Sequence, residues 1–179
     1  MASWHWRQGQ VIRALIVLIG ICFVGAPGRT QEAVALAMEG WAQTTGADGV
    51  VSYRCSSELC AAGAVVSYKS QPHRAALTLA EFEQHHRNLA ERYKGSGRIR
   101  NVRVSEPRER TVAGVRVLQI EREVDWDNGT RTFSIEARLI GPDKSFSLVS
   151  DSAKPEWTAK NFEGFLIPIA DIAGIKNAR

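Results

Sequence analysis

The sequence predicts an α+β domain in which an antiparallel β-sheet packs against one helix from the N-terminal half and one C-terminal helix. Three observations support this fold class. Apolar residues at 133, 135, 137 and 139 alternate with polar ones, as in a strand of a sheet that is covered on one face only. An Asn-Gly turn at 128–129 and a Gly-Pro-Asp-Lys turn at 141–144 are typical of antiparallel hairpins. Two segments, 78–93 and 151–168, carry helix start signals.

The N-terminal segment 1–30 has the pattern of a secretory signal peptide. Arg7 and Arg13 precede the apolar run 14–25. A membrane-spanning helix needs roughly 20 apolar residues, and this run is shorter. We therefore expect cleavage between residues 28 and 37, no stable membrane span afterwards, and a periplasmic or secreted protein. An uncleaved inner-membrane anchor is the alternative.

Loss of this leader changes the charge of the protein. The full chain has 23 Lys and Arg against 19 Asp and Glu, a net charge of +4. Arg7, Arg13 and Arg29 leave with the leader, whereas every acidic residue lies at or beyond Glu32. The mature chain then has a net charge of about +1, which demands no polyanionic partner. We expect no nucleic acid among its partners.

The leader also removes one of three cysteines, Cys22, and leaves Cys55 and Cys60. An oxidising compartment favours a local disulfide between two cysteines five residues apart. The C-x4-C spacing is wider than the redox C-x-x-C, and neither a haem-attachment histidine nor further zinc ligands lie nearby. We expect one structural disulfide and no cofactor, with a redox role for the pair as the alternative.

The first half of the mature chain is expected to contain a hairpin and a helix. Residues 31–49 form a lead-in segment, and tight structure is expected to follow it. Two β-branched runs, VVSYRC and AGAVVSYKS, flank the cysteine turn and predict the hairpin. Thr78 and Glu81 form a capping box at the start of the helix, whose apolar stripe includes His86.

The second half is expected to contain strands and a last helix. The strands are predicted over 98–104, 112–124, 131–140 and 145–150. The residues at 151–152 are expected to cap the last helix, with Pro155 in its first turn and Pro168 at its end. Residues 170–179 then form a loosely held tail. Because no repeat or second apolar run occurs, we expect a single α+β domain over 50–169.

Three segments resemble proteins of the PsbP-like fold. They are TLAEFEQHHRNLAERY before a strand, the strand pair VAGVRVLQIEREVDWDNGTRTFSIEARLI, and SFSLVSDSAKPEWTAKNFEGFLIPI, a strand that leads into a helix. This fold is shared by photosystem extrinsic proteins, a nuclear-import factor that binds a small GTPase, and DcrB-like bacterial envelope proteins, which look most similar. The resemblance is topological and hydrophobic rather than chemical. It implies a non-enzymatic binding, assembly or chaperone-like module and transfers no site residue.

Arginines along the predicted strand over 98–104 form a candidate anion-binding patch. Arg98, Arg100 and Arg103 could meet an anionic headgroup, an acidic glycan or an acidic protein. The alternative is an ordinary solvated sheet face. No metal site is expected, because the adjacent His85 and His86 point about 100° apart on a helix and cannot chelate one ion together.

An acidic row follows on the next strand and its turn, formed by Glu121, Glu123, Asp125 and Asp127. Acid–base catalysis needs carboxylates that face each other across a pocket, whereas these are expected to line a solvated edge. The chain also has no G-x-S-x-G nucleophile motif. We assign no catalytic residue.

The sequence therefore favours an exported, periplasmic, non-enzymatic binding or assembly module of the bacterial envelope. Its partner would be an envelope protein or an anionic envelope component. The alternative is a redox or other enzyme accessory that uses Cys55 and Cys60.

Overall fold

A computed structural model describes residues 36–94 and 97–175, and the predicted signal peptide lies outside the described residues. The helices are α1 (Leu79–Lys94) and α2 (Pro155–Gly174), and a short 3-10 turn covers Glu58–Cys60. The strands are β1 (Trp41–Thr45), β2 (Val51–Cys55), β3 (Val65–Gln71), β4 (Ile99–Val104), β5 (Arg108–Val112), β6 (Val115–Trp126), β7 (Arg131–Ile140) and β8 (Ser145–Ser152). They form one antiparallel sheet in the order β1-β2-β3-β8-β7-β6-β4, and β5 also pairs with β6. The predicted α+β class is confirmed.

Helix α2 covers one face of the sheet and forms the largest core with it. Ile135, Ala137 and Leu139 of β7 point to this face, as their alternation predicts. The large α2 side chains that meet the sheet are fully buried: Phe162, Phe165, Leu166 and Ile169. Burial of one such side chain contributes about 1.5–3 kcal/mol. This layer therefore supplies most of the apolar burial that holds the fold together.

Helix α1 covers part of the opposite face. Phe82 packs with Leu118 and Ile120 of β6, and Ala90 packs with Val124 of the same strand. The prediction that the sheet is covered on one face only was wrong, because the apolar stripe of α1 also needs a sheet surface against which to be buried. The polar positions of β7 consequently face a helix rather than open solvent.

The start of α1 is fixed by the predicted capping box. The backbone N–H of Glu81 donates to Thr78 Oγ1 at 3.2 Å, and the backbone N–H of Thr78 donates to Glu81 Oε2 at 2.9 Å. These bonds satisfy amides that have no partner inside the helix. Because they set where α1 begins, they also set which of its residues, His86 among them, lie above the sheet.

Helix α2 begins later than predicted. Its first residue is Pro155, after Lys154, and Ser152 belongs to β8. The Oγ of Ser152 accepts a hydrogen bond from the backbone N–H of Lys154 at 3.1 Å, which supports the turn before the helix rather than its first amides. Pro155 fits the first helical position because its missing N–H would have no partner there. The side chain of Asp151 instead bonds Ser134.

Helix α2 also continues past its predicted end. Pro168 lies inside the helix, and residues 169–174 are helical although most of them were assigned to the tail. The side chains of Ile169 and Ala173 are fully buried, so apolar contacts outweigh the hydrogen bond that the proline removes. Gly141 lies so close to this turn that an added Cβ would be 1.9 Å from the carbonyl oxygen of Ala173. The ordered domain therefore extends to the end of α2.

Two strands, β1 and β5, were not predicted. β1 lies within the lead-in segment 31–49, where Trp41 packs edge-on against Phe165 with ring centroids 5.2 Å apart. Most residues of both strands are exposed, so neither has an apolar alternation. They are held as strands by hydrogen bonds to β2 and β6, and the lead-in is part of the sheet.

Candidate functional site

A cleft of about 300 Å³ lies between α1 and the sheet, and we call it the α1 cleft. Helix α1 forms one wall, β7 and β8 form the floor, and the loop between β3 and α1 forms the rim. Its polar lining includes Gln71 at the end of β3, Arg74 of the loop, Glu81 and His86 of α1, and Glu136 and Arg138 of the floor.

The polar floor follows from the pleat of the sheet. On β7, Ser134, Glu136 and Arg138 alternate with the residues that face α2, so they point toward α1. Antiparallel pairing with β8 places Ser147 beside Arg138 and Val149 beside Glu136. The sequence pattern predicts a solvated polar face here, whereas the structure places these side chains below a helix.

Three side chains form a buried charged row beneath the cleft: Arg122, Glu136 and His86. Arg122 of β6 makes an ion pair with Glu136. The Oε2 atom of Glu136 lies 3.4 Å from Nδ1 of His86. The guanidinium carbon of Arg122 lies 5.1 Å from the ring centroid of Tyr93, which adds a cation–π contact. The Arg122 side chain is only 10% exposed, so this row crosses the interior of the α1 layer.

Hydrogen bonding in the buried charged row is incomplete. Among the described residues, Nε and Nη1 of Arg122 and Nδ1 of His86 have no hydrogen-bond partner. The contact of His86 with Glu136 is close, but it is not aligned as a hydrogen bond. An unsatisfied buried polar group costs about 1–3 kcal/mol, and native proteins contain few of them. The row therefore departs from ordinary core packing.

Burial also sets the protonation of the row. It lowers the pKa of His86 to about 4, and the nearby His85, Arg122 and Arg138 lower this pKa as well. The imidazole is therefore neutral at neutral pH. Burial raises the pKa of Glu136, and the cation of Arg122 partly offsets this effect. His86 thus contributes a neutral ring beside the ion pair of Arg122 and Glu136.

A second buried carboxyl group lies at the other end of α1. Burial raises the pKa of Asp151, against the lowering effects of a hydrogen bond from Ser134 Oγ and of the charge on Arg122. Asp151 lines a smaller opening of about 230 Å³ together with Tyr93 and Trp126. Because Arg122 lines this second opening and Glu136 lines the α1 cleft, the buried charged row connects the two.

Arg138 has an unusual position on the floor of the α1 cleft. It is half-buried, and the contacts among the described residues give it no carboxylate partner. Burial lowers its pKa, and so does the charge of the nearby Arg74. Arg74 itself donates to Glu81 at 2.9 Å. Beside Arg138, Gln71 Nε2 donates to Ser147 Oγ at 3.0 Å, so the floor also offers uncharged hydrogen-bonding groups.

The structure places the predicted arginine patch at β4, where all three side chains are exposed. Arg98 directly precedes the strand. Arg100 lies at an irregularity in the pairing of β4 with β6, and its Nη2 donates to the carbonyl oxygen of Asp127 at 2.6 Å. Arg103 is paired with two carboxylates of β6. The anion-binding patch stays a prediction, and an anion would have to compete with these contacts.

The predicted acidic row takes part in ion pairs across the sheet. Arg103 Nη2 lies 2.8 Å from Glu123 and 3.1 Å from Asp125, and Arg131 Nε lies 2.7 Å from Asp125. The hydrogen bond from Arg103 holds the pKa of Glu123 below its usual value. These pairs connect β4, β6 and β7. Their carboxylates are therefore held by arginines rather than arranged as an acid and a base.

The predicted disulfide joins Cys55 and Cys60, whose Cα atoms are 5.8 Å apart. Both residues are buried, with exposures of 3% and 4%. Nδ2 of Asn161 in α2 donates to the carbonyl oxygen of Cys60 at 2.9 Å. The disulfide thus fixes a loop against α2, on the side of the sheet away from the α1 cleft.

Neither a metal cluster nor a spanning helix occurs in the described part of the chain. No three His, Cys, Asp or Glu side chains of residues 36–94 and 97–175 are grouped so that they could hold a metal ion. The ring planes of His85 and His86 lie at 89° to each other, with their centroids 5.3 Å apart. Within the same residues, no helix is long and apolar enough to cross a membrane.

Sequence reasoning assigned no role to the members of the buried charged row or to Arg138. One signal was available: His86 stands within an apolar helix stripe, where a histidine needs a polar partner on the facing element. The alternating polar residues of β7 were the facing element, and they were interpreted as solvated.

Comparisons with known proteins identify the fold. No family model matches the sequence, and no curated protein matches it. The solution structure of cyanobacterial PsbP (CyanoP) from Synechocystis has a TM-score of 0.55 and 12% identity over 82% of this chain and 96% of that chain. The crystal structure of a Pseudomonas aeruginosa protein of unknown function, described as a candidate regulator, has a TM-score of 0.51 and 6% identity over 74% and 85%. The predicted PsbP-like fold is confirmed, and similarity to DcrB-like proteins stays a prediction.

Proposed function

We propose that this chain is an exported, periplasmic module that binds a component of the bacterial envelope, and that the α1 cleft is its binding site. The observation that carries the proposal is the buried charged row directly beneath the cleft. Binding sites combine a concave surface with a few convergent polar groups. The α1 cleft combines the two.

The energetic cost of the buried charged row supports a role in binding. Replacement of a buried ion pair by apolar residues of similar volume is often neutral or stabilising by about 1–4 kcal/mol. Apolar residues at positions 86, 122 and 136 would therefore hold α1 on the sheet at least as well. Departures from ordinary core packing are expected at functional sites. The row is thus better explained by what the cleft binds than by stability.

A binding role is favoured over catalysis by the state of the two titratable groups. A general acid or base must reach the proton that it transfers. Glu136 is engaged by Arg122, and His86 is 6% exposed. Neither group is arranged for exchange of a proton with a substrate, whereas both can shape the field of a binding site.

The disulfide supports the same proposal. Thiol–disulfide exchange needs access of an attacking thiolate to a sulfur atom. Cys55 and Cys60 are both buried, and the loop between them is bound to α2. A structural role therefore fits better than the redox alternative.

Site-specific photocrosslinking in intact bacterial cells tests the proposed function. The full chain carries a photoreactive amino acid at His85, which lies on the exposed wall of the cleft, or at Thr44, which is exposed on β1 as a matched control. We expect the protein in the periplasmic fraction with an intact mass that shows cleavage between residues 28 and 37. We also expect an adduct of one defined mass from position 85 and none from position 44.

Two results would contradict the proposal. Retention of the full-length chain in the cytoplasm would exclude export. Equal adducts from positions 85 and 44, or none from position 85, would show that the cleft does not contact an envelope component.

A further inference from the structure

Arg138 differs from the other arginines that are not exposed. In the described part of the chain these are Arg116, Arg122 and Arg138. Arg116 is bound by Glu109 at 2.8 Å, and Arg122 is paired with Glu136. Arg138 has no such carboxylate, although burial removes part of its hydration. A guanidinium in this position gains most from an anion supplied by a ligand.

Arg138 is the one charged side chain of the cleft lining that has no oppositely charged partner among the described residues. The charge of Arg74 lowers the pKa of Arg138, and the charge of Arg138 in turn lowers the pKa of His86. The two carboxylates of the cleft are already occupied, because Glu81 is bound by Arg74 and Glu136 by Arg122. Arg138 is therefore the group of the cleft whose charge an anionic ligand would neutralise.

The shape and the lining of the cleft fit a small anionic group. Its volume of about 300 Å³ lies at the small end of the range for ligand sites. Gln71 and Ser147 offer hydrogen-bonding groups beside Arg138, and Leu77 and Phe82 give an apolar wall. Such a site accommodates an oxyanion attached to a short apolar stem.

We infer that the α1 cleft binds a carboxylate or phosphate group through Arg138, with Gln71 and Ser147 as additional hydrogen-bonding partners. The inference rests on the proposed function, since it names the chemistry that the cleft selects. The planar guanidinium matches the two oxygens of a carboxylate or phosphate. The group can belong to a free small anion or to the headgroup of an anionic lipid, and the experiment separates these sources.

Titration of the mature protein, followed by backbone amide NMR, tests the inference. The free-anion probes are inorganic phosphate and acetate, and the lipid probe is vesicles of phosphatidylglycerol, with phosphatidylcholine vesicles as the neutral control. We expect phosphate or acetate to shift the amide signals of Gln71, His86 and Ser147. If the source is a lipid, we expect the protein to co-sediment with phosphatidylglycerol vesicles and to stay in the supernatant with phosphatidylcholine vesicles.

Three variants make the test specific. Arg138→Met keeps most of the side-chain stem without its charge and should weaken binding at least about tenfold. Arg138→Lys keeps the charge but loses the two-point geometry, so its binding should be weakened to an intermediate extent. Arg54→Met removes an exposed arginine of β2 and should bind as the original protein does. Unchanged amide spectra away from the cleft establish that each variant is folded.

The inference is overturned if none of the probes binds, if Arg138→Met binds as strongly as the original protein, or if the shifted signals lie at Arg98, Arg100 and Arg103. These outcomes are distinct from failure of the proposed function. Suppose that position 85 gives a cleft-specific adduct and that the adduct forms equally well in Arg138→Met. This result would support binding at the α1 cleft and would contradict anion binding through Arg138.

Discussion

Protonation of His86 should couple the stability of the domain to pH. Burial lowers its pKa to about 4 from an ordinary value of 6.5, and His85, Arg122 and Arg138 contribute. Between these values the unfolded histidine takes up a proton that the folded one does not, so unfolding becomes more favourable as the pH falls. The effect begins as the pH drops through about 6.5 and is complete below about 4.

The shift in the pKa of His86 gives the magnitude. Each pKa unit corresponds to about 1.4 kcal/mol, so a fall from 6.5 to about 4 corresponds to roughly 3 kcal/mol in the free energy of unfolding. About 2 kcal/mol of this should already be lost at about pH 5. Glu136 and Asp151 have the opposite effect on the free energy of unfolding. Burial raises the pKa of each, so the folded state keeps their protons to a higher pH than the unfolded state does, and they favour the folded state as the pH falls. A substitution is therefore needed to isolate the histidine.

Urea unfolding of the original protein and of His86→Gln at about pH 7.5 and about pH 5 measures this effect. We expect the original protein to lose about 2 kcal/mol more than His86→Gln between the two conditions. His85→Gln keeps the buried histidine but removes one of the neighbours that lower its pKa, so it should retain most of the pH dependence that His86→Gln loses. The same pH dependence in the original protein and in His86→Gln would refute the reasoning, because the buried histidine would then not be the group that titrates.

Two further predictions concern the α2 side of the sheet. Gly141→Ala should destabilise the protein by about 3 kcal/mol or more, because the added Cβ would lie 1.9 Å from a backbone oxygen of α2. Gly164→Ala is the matched control. Its added Cβ would have no atom within 4 Å, so it should stabilise α2 by about 0.5–1 kcal/mol. Thermal unfolding compares the two, and equal effects would contradict the contact. Replacement of both Cys55 and Cys60 by serine should cost about 2 kcal/mol from loop entropy. Unchanged thermal unfolding, or rapid reduction of the original protein by a mild thiol, would argue against a structural disulfide.

The elements that could be predicted from sequence are those whose determinants are local. The capping box of Thr78 and Glu81 involves only neighbours in sequence, and the alternation along β7 reflects the pleat of that strand itself. The missed elements depend on distant partners. β1 and β5 are strands because β2 and β6 pair with them, and α2 passes through Pro168 because residues beyond it pack against the sheet and the turn at Gly141.

The buried charged row could not be predicted because it needs three elements in register. The pairing of β6 with β7 places Arg122 opposite Ser134 and therefore diagonal to Glu136 on the same face. The position of α1 then places His86 next to Glu136. A shift of one residue in either strand would turn its member of the row toward α2. The sequence of each strand shows which residues are polar and alternate, but it does not show how β6, β7 and α1 are aligned with one another.

If the α1 cleft binds as proposed, the two faces of the sheet divide stability and recognition between them. The largest group of buried apolar side chains lies on the α2 face, where Asn161 and the disulfide also fix the adjoining loop. The apolar contacts of α1 form two smaller groups on either side of the buried charged row. Because the α2 face supplies most of the burial, the α1 face can include an ion pair and an arginine that has no carboxylate partner among the described residues, although their desolvation costs stability. A ligand that compensates Arg138 would therefore stabilise the weaker layer, and α1 is the element whose local opening it should suppress most.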